Sequence, residues 1–328
     1  MVADLGLIAA LLGGFIILAI SGDFLVRSAV SLAQKLGVSP LIAGVFIVGF
    51  GSSAPEMLVS VSAAAKGSPA LALGNIVGSN IANVWLVLAV PALIYPLMTN
   101  SYGVRRSLVM VIFATGLWIG LSAFYPFATL TGVSFLSLLV LYMIGTVWQT
   151  QSAVSRGIDV GVGDDADLVS GFTLWACVLV GLVGLPLGAY LIVEGGVGLA
   201  RAFDVSEELI GLTLLAVGTS LPELGAGLAA AIRRRGDVVI GNVLGSVIFN
   251  LLAAGGLVAL LGPVSVPESF LRFDHWAMAA AVLTLALFIF PRSRISRLAA
   301  LVMLLIYAVY LYGLIYGWNF LSLVPSLA

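Results

Sequence analysis

The amino-acid sequence predicts an all-α membrane protein: ten transmembrane helices arranged as two inverted five-helix repeats. Three observations carry this expectation. Hydrophobic residues make up 61% of the 328 positions and charged residues only 9%, with a mean hydropathy of +1.19, whereas a soluble domain is about one quarter charged. The apolar runs reach about 20 residues or more, the length a helix needs to cross hydrocarbon, and exposed backbone in lipid leaves only helices or closed barrels. Finally, a pattern of polar and helix-breaking residues occurs twice in register, its two glutamates, Glu56 and Glu223, standing 167 positions apart.

Hydropathy places the spans at 5–34, 39–65, 69–97, 105–124, 128–150, 169–200, 206–232, 237–262, 274–291 and 296–317. The first opens without the basic flank and small-residue cleavage site of a signal peptide, so it is expected to remain as a helix. The second, third, seventh and eighth are expected to be interrupted. Pro55 and Pro222 remove helix donors, and Gly74, Gly78, Gly241 and Gly245 weaken the ladder. Placing the loops alternately on two faces puts Arg27, Lys35, Arg105, Arg106, Arg156, Arg233, Arg234, Arg235, Arg292, Arg294 and Arg297 on one of them. Only Lys66, Arg201 and Arg272 fall on the other. By the positive-inside rule the first face is cytoplasmic, which predicts a multi-pass protein of the cell membrane with both termini extracytoplasmic. The chain then divides into a first repeat (1–150), a cytoplasmic linker (151–168) and a second, inverted repeat (169–328).

Composition also narrows function. A net charge of -1 gives no reason to expect nucleic acid, and the single cysteine, Cys177, lies in an apolar run where a packed thiol is expected. No obligatory protein partner, cofactor or enzymatic constellation is evident. Gly161-Val162-Gly163-Asp164 has the letters of an aspartyl-protease element, but no second aspartate sits in a matching apolar span.

The repeat carries the chemistry. Gly51-Ser52-Ser53-Ala54-Pro55-Glu56 aligns with Gly218-Thr219-Ser220-Leu221-Pro222-Glu223, Gly74-Asn75 with Gly241-Asn242, Gly78-Ser79 with Gly245-Ser246, and Asn83 with Asn250. Five spans in each half make the second enter the membrane from the opposite face, an arrangement suited to alternating access at a midplane site. A carboxylate at membrane depth costs roughly 2.5–3.5 kcal/mol on insertion scales, so two at matched positions imply a use. Around them stand the hydroxyls of Ser52, Ser53, Thr219 and Ser220. Ser79 with Asn83, and Ser246 with Asn250, are spaced to share a helical face. The donors are all oxygen, without His or Cys, which points to hard cations such as Ca2+, Mg2+, Na+ or a proton rather than zinc or copper. The glycines of the repeat are read as helix-packing positions.

At these residues the chain resembles the sodium/calcium exchanger family of the cation/calcium antiporter superfamily: GSSAPE and GTSLPE, followed by GNIVGSNIAN and GNVLGSVIFN, are similar to its alpha repeats. The resemblance implies Ca2+/Na+ antiport, with Ca2+ and Na+ as transported ions. Glu56 and Glu223 would be shared central ligands, and Ser52 and Thr219 would add oxygens. Ser79 and Ser246 would serve flanking Na+ sites supported by Ser53 and Ser220, with carbonyls near Gly49 and Ala216. Asn83 would be a central amide. Asn250 departs from the family pattern, which often has an aspartate there, so two fixed charges remain and a Ca2+/H+ exchanger is the alternative; a cation channel is a third class. Val247 facing Asn80 in the alignment is a second asymmetry. The resemblance further implies that the long first and sixth spans slide across a rigid core.

Outside the repeats, Asp23 and Arg27 read as a local ion pair. Glu194 reads as an outer-end acid, His275 as an interfacial residue, and Asp159, Asp164, Asp165 and Asp167 as a solvated acidic linker lacking EF-hand spacing.

Overall fold

The computed structural model describes residues 2–67, 69–124, 126–160, 168–202, 218–266, 268 and 270–316. Among them nine helices are long and apolar enough to cross a membrane, and a tenth, shorter apolar helix completes the set. We number them α1 (Val2–Leu36), α2 (Pro40–Ala65), α3 (Pro69–Ile94), α4 (Val104–Phe124), α5 (Thr129–Ser155), α6 (Gly171–Ala202), α7 (Leu221–Ile232), α8 (Gly236–Leu260), α9 (Phe270–Ile289) and α10 (Arg297–Ile315). The protein is thus all-α, and the expected spans coincide with these helices except that 206–217, the first part of the seventh, and 317, the end of the tenth, lie outside the described residues.

Two small strand pairings make the inverted repeat visible. Strand β1 (Leu97–Met98), after α3, pairs antiparallel with β2 (Arg294–Ile295), before α10. On the other side of the molecule Phe127, before α5, pairs with Val264, after α8. The repeat offset carries Leu97 onto Val264 and Phe127 onto Arg294, so each pairing is the image of the other with the halves exchanged.

Burial locates the core. In α8, 89% of the apolar window is buried inside the protein, against 22% in α1 and in α5. The outer helices turn Leu12, Phe15, Leu141, Trp148, Leu179 and Leu305 outward, the belt a lipid-facing surface requires. The first and sixth expected spans pack along each other as α1 and α6. A Cβ added at Gly188 would stand 2.8 Å from the Leu18 nitrogen, and one at Gly195 2.7 Å from the Leu7 carbonyl oxygen. Absence of side chains there lets two backbones approach closely, the usual source of helix adhesion where lipid is as apolar as the protein. The same device joins α2 to α8 at Gly44, Gly241 and Gly245.

Interruptions of the helices are present, but their form corrects one expectation. Pro55 does not break its helix: Phe50–Ala65 is α-helical straight through it, and the irregularity is a π-helical stretch just before, at Gly44–Gly49. Within a membrane a freed backbone group is compensated by such local widening and by neighbouring hydroxyls. Further π-helical stretches start at Asn83 in α3 and at Phe249 in α8. Pro222 behaves differently, standing in the first turn of α7 after the turn residues Thr219 and Ser220, where a missing donor costs nothing.

Several outlying residues can now be placed. Asp23 does bond Arg27, at 2.9 Å, and also accepts a hydrogen bond from Arg233, which ties α1 to the end of α7. Cys177 is buried, as expected. Glu194 is exposed. His275 is not interfacial; it is buried, 3.3 Å from the Trp118 indole nitrogen that donates to it and beside Ser122. The polar Trp118 needs an acceptor inside the bundle and the imidazole supplies it. Asp164, Asp165 and Asp167 lie outside the described residues.

Candidate functional site

Glu56 lies on α2 and Glu223 in the first turn of α7, and both are essentially without exposure, at 1% and 0%. The helices that carry them pack directly against each other. Ser53 on α2 donates to Glu223 at 2.7 Å, so the hexapeptide of one half reaches the acid of the other. The π-helical stretch beginning at Phe249 packs against the helix of Glu56, and the one beginning at Asn83 against the helix of Glu223. Each half therefore presents its amide-bearing segment to the opposite acid.

The π-helical stretches explain why the amides stand where they do. Leu88 donates its backbone N–H to the Asn83 carbonyl, and Gly255 to the Asn250 carbonyl, both five residues back. The wider turn rotates the following residues relative to an α-helix, a feature frequent at functional sites. Asn83 and Asn250 are both fully buried, and no side-chain atom of either has a hydrogen-bond partner among the described residues. Both Glu56 oxygens, one Glu223 oxygen and the Ser220 and Ser246 hydroxyls are in the same condition. Unpaired buried polar groups cost roughly 1–3 kcal/mol each, more when charged. So many of them in repeat-related positions are the signature of a site built for something other than protein.

The backbone beneath the acids is held by a matched pair of asparagines. Asn75 donates to the Glu56 carbonyl at 3.1 Å, and its repeat mate Asn242 donates to the Glu223 carbonyl at 3.1 Å. Asn75 also donates to the Ser60 hydroxyl at 2.9 Å, while Asn242 accepts from Ser52 at 3.2 Å. Sequence alone shows these asparagines only as members of the repeat; their purchase on the glutamate backbones is a tertiary fact. Replacing Asn242 by Ala is expected to cost about 1–3 kcal/mol, because two buried partners lose their bonds. A lowered thermal unfolding midpoint of the solubilised protein is the measurement.

The structure places the site residues expected from the sequence as follows. Ser52, Ser53, Glu56, Ser79, Asn83, Ser220, Glu223, Ser246 and Asn250 are buried. Thr219 is half-buried and, with Ser79, lines a cavity entering between α3, α9 and α10. Gly49 contributes its carbonyl to Ser52 at 3.5 Å, and Ala216 lies outside the described residues. Among the described residues no group of three or more His, Cys, Asp and Glu side chains gathers. Two acids therefore share the site with neutral oxygen donors. Asn80 is buried against Met278 on α9, with its amide nitrogen 3.9 Å from the sulfur, so its asymmetry with Val247 belongs to a helix contact.

Fold and site together define a class: polytopic membrane proteins of two inverted halves that meet around buried, unpaired carboxylates and amides. Comparison with known proteins narrows it. The family described as sodium/calcium exchanger protein matches residues 6–151 and 173–316. The putative antiporter CaxA of Alkalimonas amylolytica is 34% identical over 91% of this chain and 95% of its own. The sodium/calcium exchanger MaX1 of Methanosarcina acetivorans is 31% identical over 93% of this chain and 97% of its own. A solved structure of the sodium-calcium exchanger NCX_Mj superposes with a TM-score of 0.80 at 29% identity, covering 94% of this chain and 99% of that one. The chain belongs to the sodium/calcium exchanger protein family.

Proposed function

We propose that this protein is a secondary antiporter exchanging Ca2+ for Na+ across the cell membrane by alternating access to the site of Glu56 and Glu223. The observation that carries the reading is the convergence of these two buried acids, one from each inverted half, on a cluster of unpartnered amide and hydroxyl oxygens. Oxygen ligands in a flexible set suit Ca2+ and Na+ alike. Two carboxylates can neutralise one divalent ion or two monovalent ones, so the same ligands cannot hold both cargoes at once, and competition couples them. Ser52, Thr219, Asn83 and Asn250 complete the central set, while Ser79, Ser246, Ser53 and Ser220 serve the flanking positions. The names of MaX1 and NCX_Mj support Na+ as counter-ion.

The glycine-lined close approach of α1 to α6 supports these two helices moving as one unit across the rest of the bundle. Residues 1–150 and 169–328 are the two repeats and 151–168 their linker, with both termini extracytoplasmic.

A second reading rests on Asn250. With an amide there, only two of the central groups titrate, and H+ becomes a competent counter-ion. Vesicles containing the purified protein decide between them. Radiolabelled Ca2+ uptake is expected to follow an outward Na+ gradient and to collapse without it; uptake driven by an outward H+ gradient alone assigns H+ instead, and uptake with neither gradient marks a channel. Asn250→Asp is expected to change the dependence on counter-ion concentration, measured in the same vesicles.

A further inference from the structure

A half-buried carboxylate near the start of α9 lies beyond the repeat motifs. Asp274, in the first turns of α9, accepts a hydrogen bond from the Tyr310 hydroxyl of α10 at 3.0 Å. It lines a cavity of about 510 Å³ together with Tyr307 and Tyr310. Ser79 and Thr219, two residues of the candidate ion site, line the same cavity, as does Asn75. The remaining described walls include Val59, Leu71, Val77 and Leu314. A single negative charge in a cleft with apolar walls has its field focused along the cleft and concentrates cations there.

The inverted repeat supplies an internal control. In the first half Tyr142 of α5 donates to Ser107 of α4 at 2.8 Å, the counterpart of Tyr310 on α10 bonding Asp274 on α9. The two pairs have nearly the same spacing, 35 and 36 residues. A tyrosine, displaced by one residue from the repeat register, therefore fills this place in both halves and is satisfied by a neutral hydroxyl in one of them. Packing does not require an acid at this place. The repeat offset carries Ser107 onto Asp274, so the first half is neutral at the place where the second carries an acid.

We propose that Asp274, with the Tyr310 hydroxyl, is a recruiting station that binds Ca2+ in the cavity and delivers it to Ser79 and Thr219, on the α9 N-terminal face only. The station extends the exchanger reading, resting on it for the transport test below, and acts by raising the local cation concentration. Asp274→Asn is expected to raise the half-saturating Ca2+ concentration about three- to tenfold for Ca2+ offered at that face, and to leave it as in the wild type for Ca2+ offered at the other. Equal change on both faces, or none on either, overturns the proposal.

Binding is read separately with Tb3+, a Ca2+ analogue whose luminescence is sensitised by nearby tyrosine. In the purified Glu56→Gln, Glu223→Gln double variant, whose central acids are gone, a saturable signal is expected. Adding Asp274→Asn, or Asp274→Ser, is expected to lower that signal at least fivefold. The serine variant rebuilds the Tyr–Ser pair that the first half already uses, and so keeps the fold. A signal indifferent to both substitutions overturns the station while leaving the exchanger reading intact. A signal lost in both, in a wild-type protein that moves no Ca2+, sustains the station and refutes the exchanger.

Discussion

Glu56→Gln and Glu223→Gln are each expected to reduce Ca2+ exchange by roughly two to three orders of magnitude in protein that still folds, matching the ~3–5 kcal/mol lost when one member of a buried ionic arrangement is removed. The two halves of this expectation come from different observations. Loss of function follows from charge. With two acids as the only carboxylates at the site among the described residues, neutralising one removes half of its formal charge. Retention of the fold follows from hydrogen bonding. Among the described residues neither Glu56 oxygen has a partner, and the bond Glu223 accepts from Ser53 can be accepted as well by an amide oxygen. The substitution is nearly isosteric, so it leaves no cavity. Vesicle uptake reads the first part, and gel filtration with thermal unfolding the second. Near-normal uptake by either variant refutes the ligand assignment.

Gly245→Val is expected to prevent accumulation of folded protein, and Gly245→Ala to cost about 3 kcal/mol, at the upper end of overpacking penalties. A Cβ at Gly245 would lie 2.3 Å from the Val45 carbonyl oxygen and 2.8 Å from the Val45 Cα. One at Gly241 would meet the Leu41 oxygen at 2.3 Å. These contacts are with backbone, which cannot rotate away, so α2 and α8 would have to separate. Separation would also move Ser52 from Asn242, and with it the hydroxyl arm of the site. Gly116→Ala on α4, with nothing within 4 Å of the added carbon, is the control expected to be neutral or slightly stabilising. Denaturation curves in detergent measure both; equal behaviour of Gly245→Ala and Gly116→Ala contradicts the close crossing.

Much of the site was legible because membrane burial makes polar residues expensive. Glu56, Glu223, Asn83 and Asn250 stand out from an apolar background, and their recurrence at one offset marks them as a set. The repeat glycines read as packing positions are so used at Gly241 and Gly245 but not at Gly78, where an added Cβ would meet nothing within 4 Å, nor closely at Gly74, since both line the cavity. His275 was misplaced because a histidine next to a tryptophan at a span boundary has the same signature whether it faces headgroups or an indole donor from another helix. Pro55 was misread because a sequence shows the missing donor but not the π-helical stretch that compensates for it.

The amino-acid sequence by itself determined the solvent, the number of helices, the duplication and the oxygen character of the site. These depend on residue type and spacing along one chain, and hydrocarbon enforces them residue by residue. Only the tertiary structure decided that Ser53 serves the acid of the other half, that Asn75 and Asn242 grip the glutamate backbones, and that Asp274 shares a cavity with Ser79 and Thr219. Each of these joins residues from different helices. The rotation and separation of two helices are set by close backbone approach and π-helical turns, whose geometry no single helix encodes.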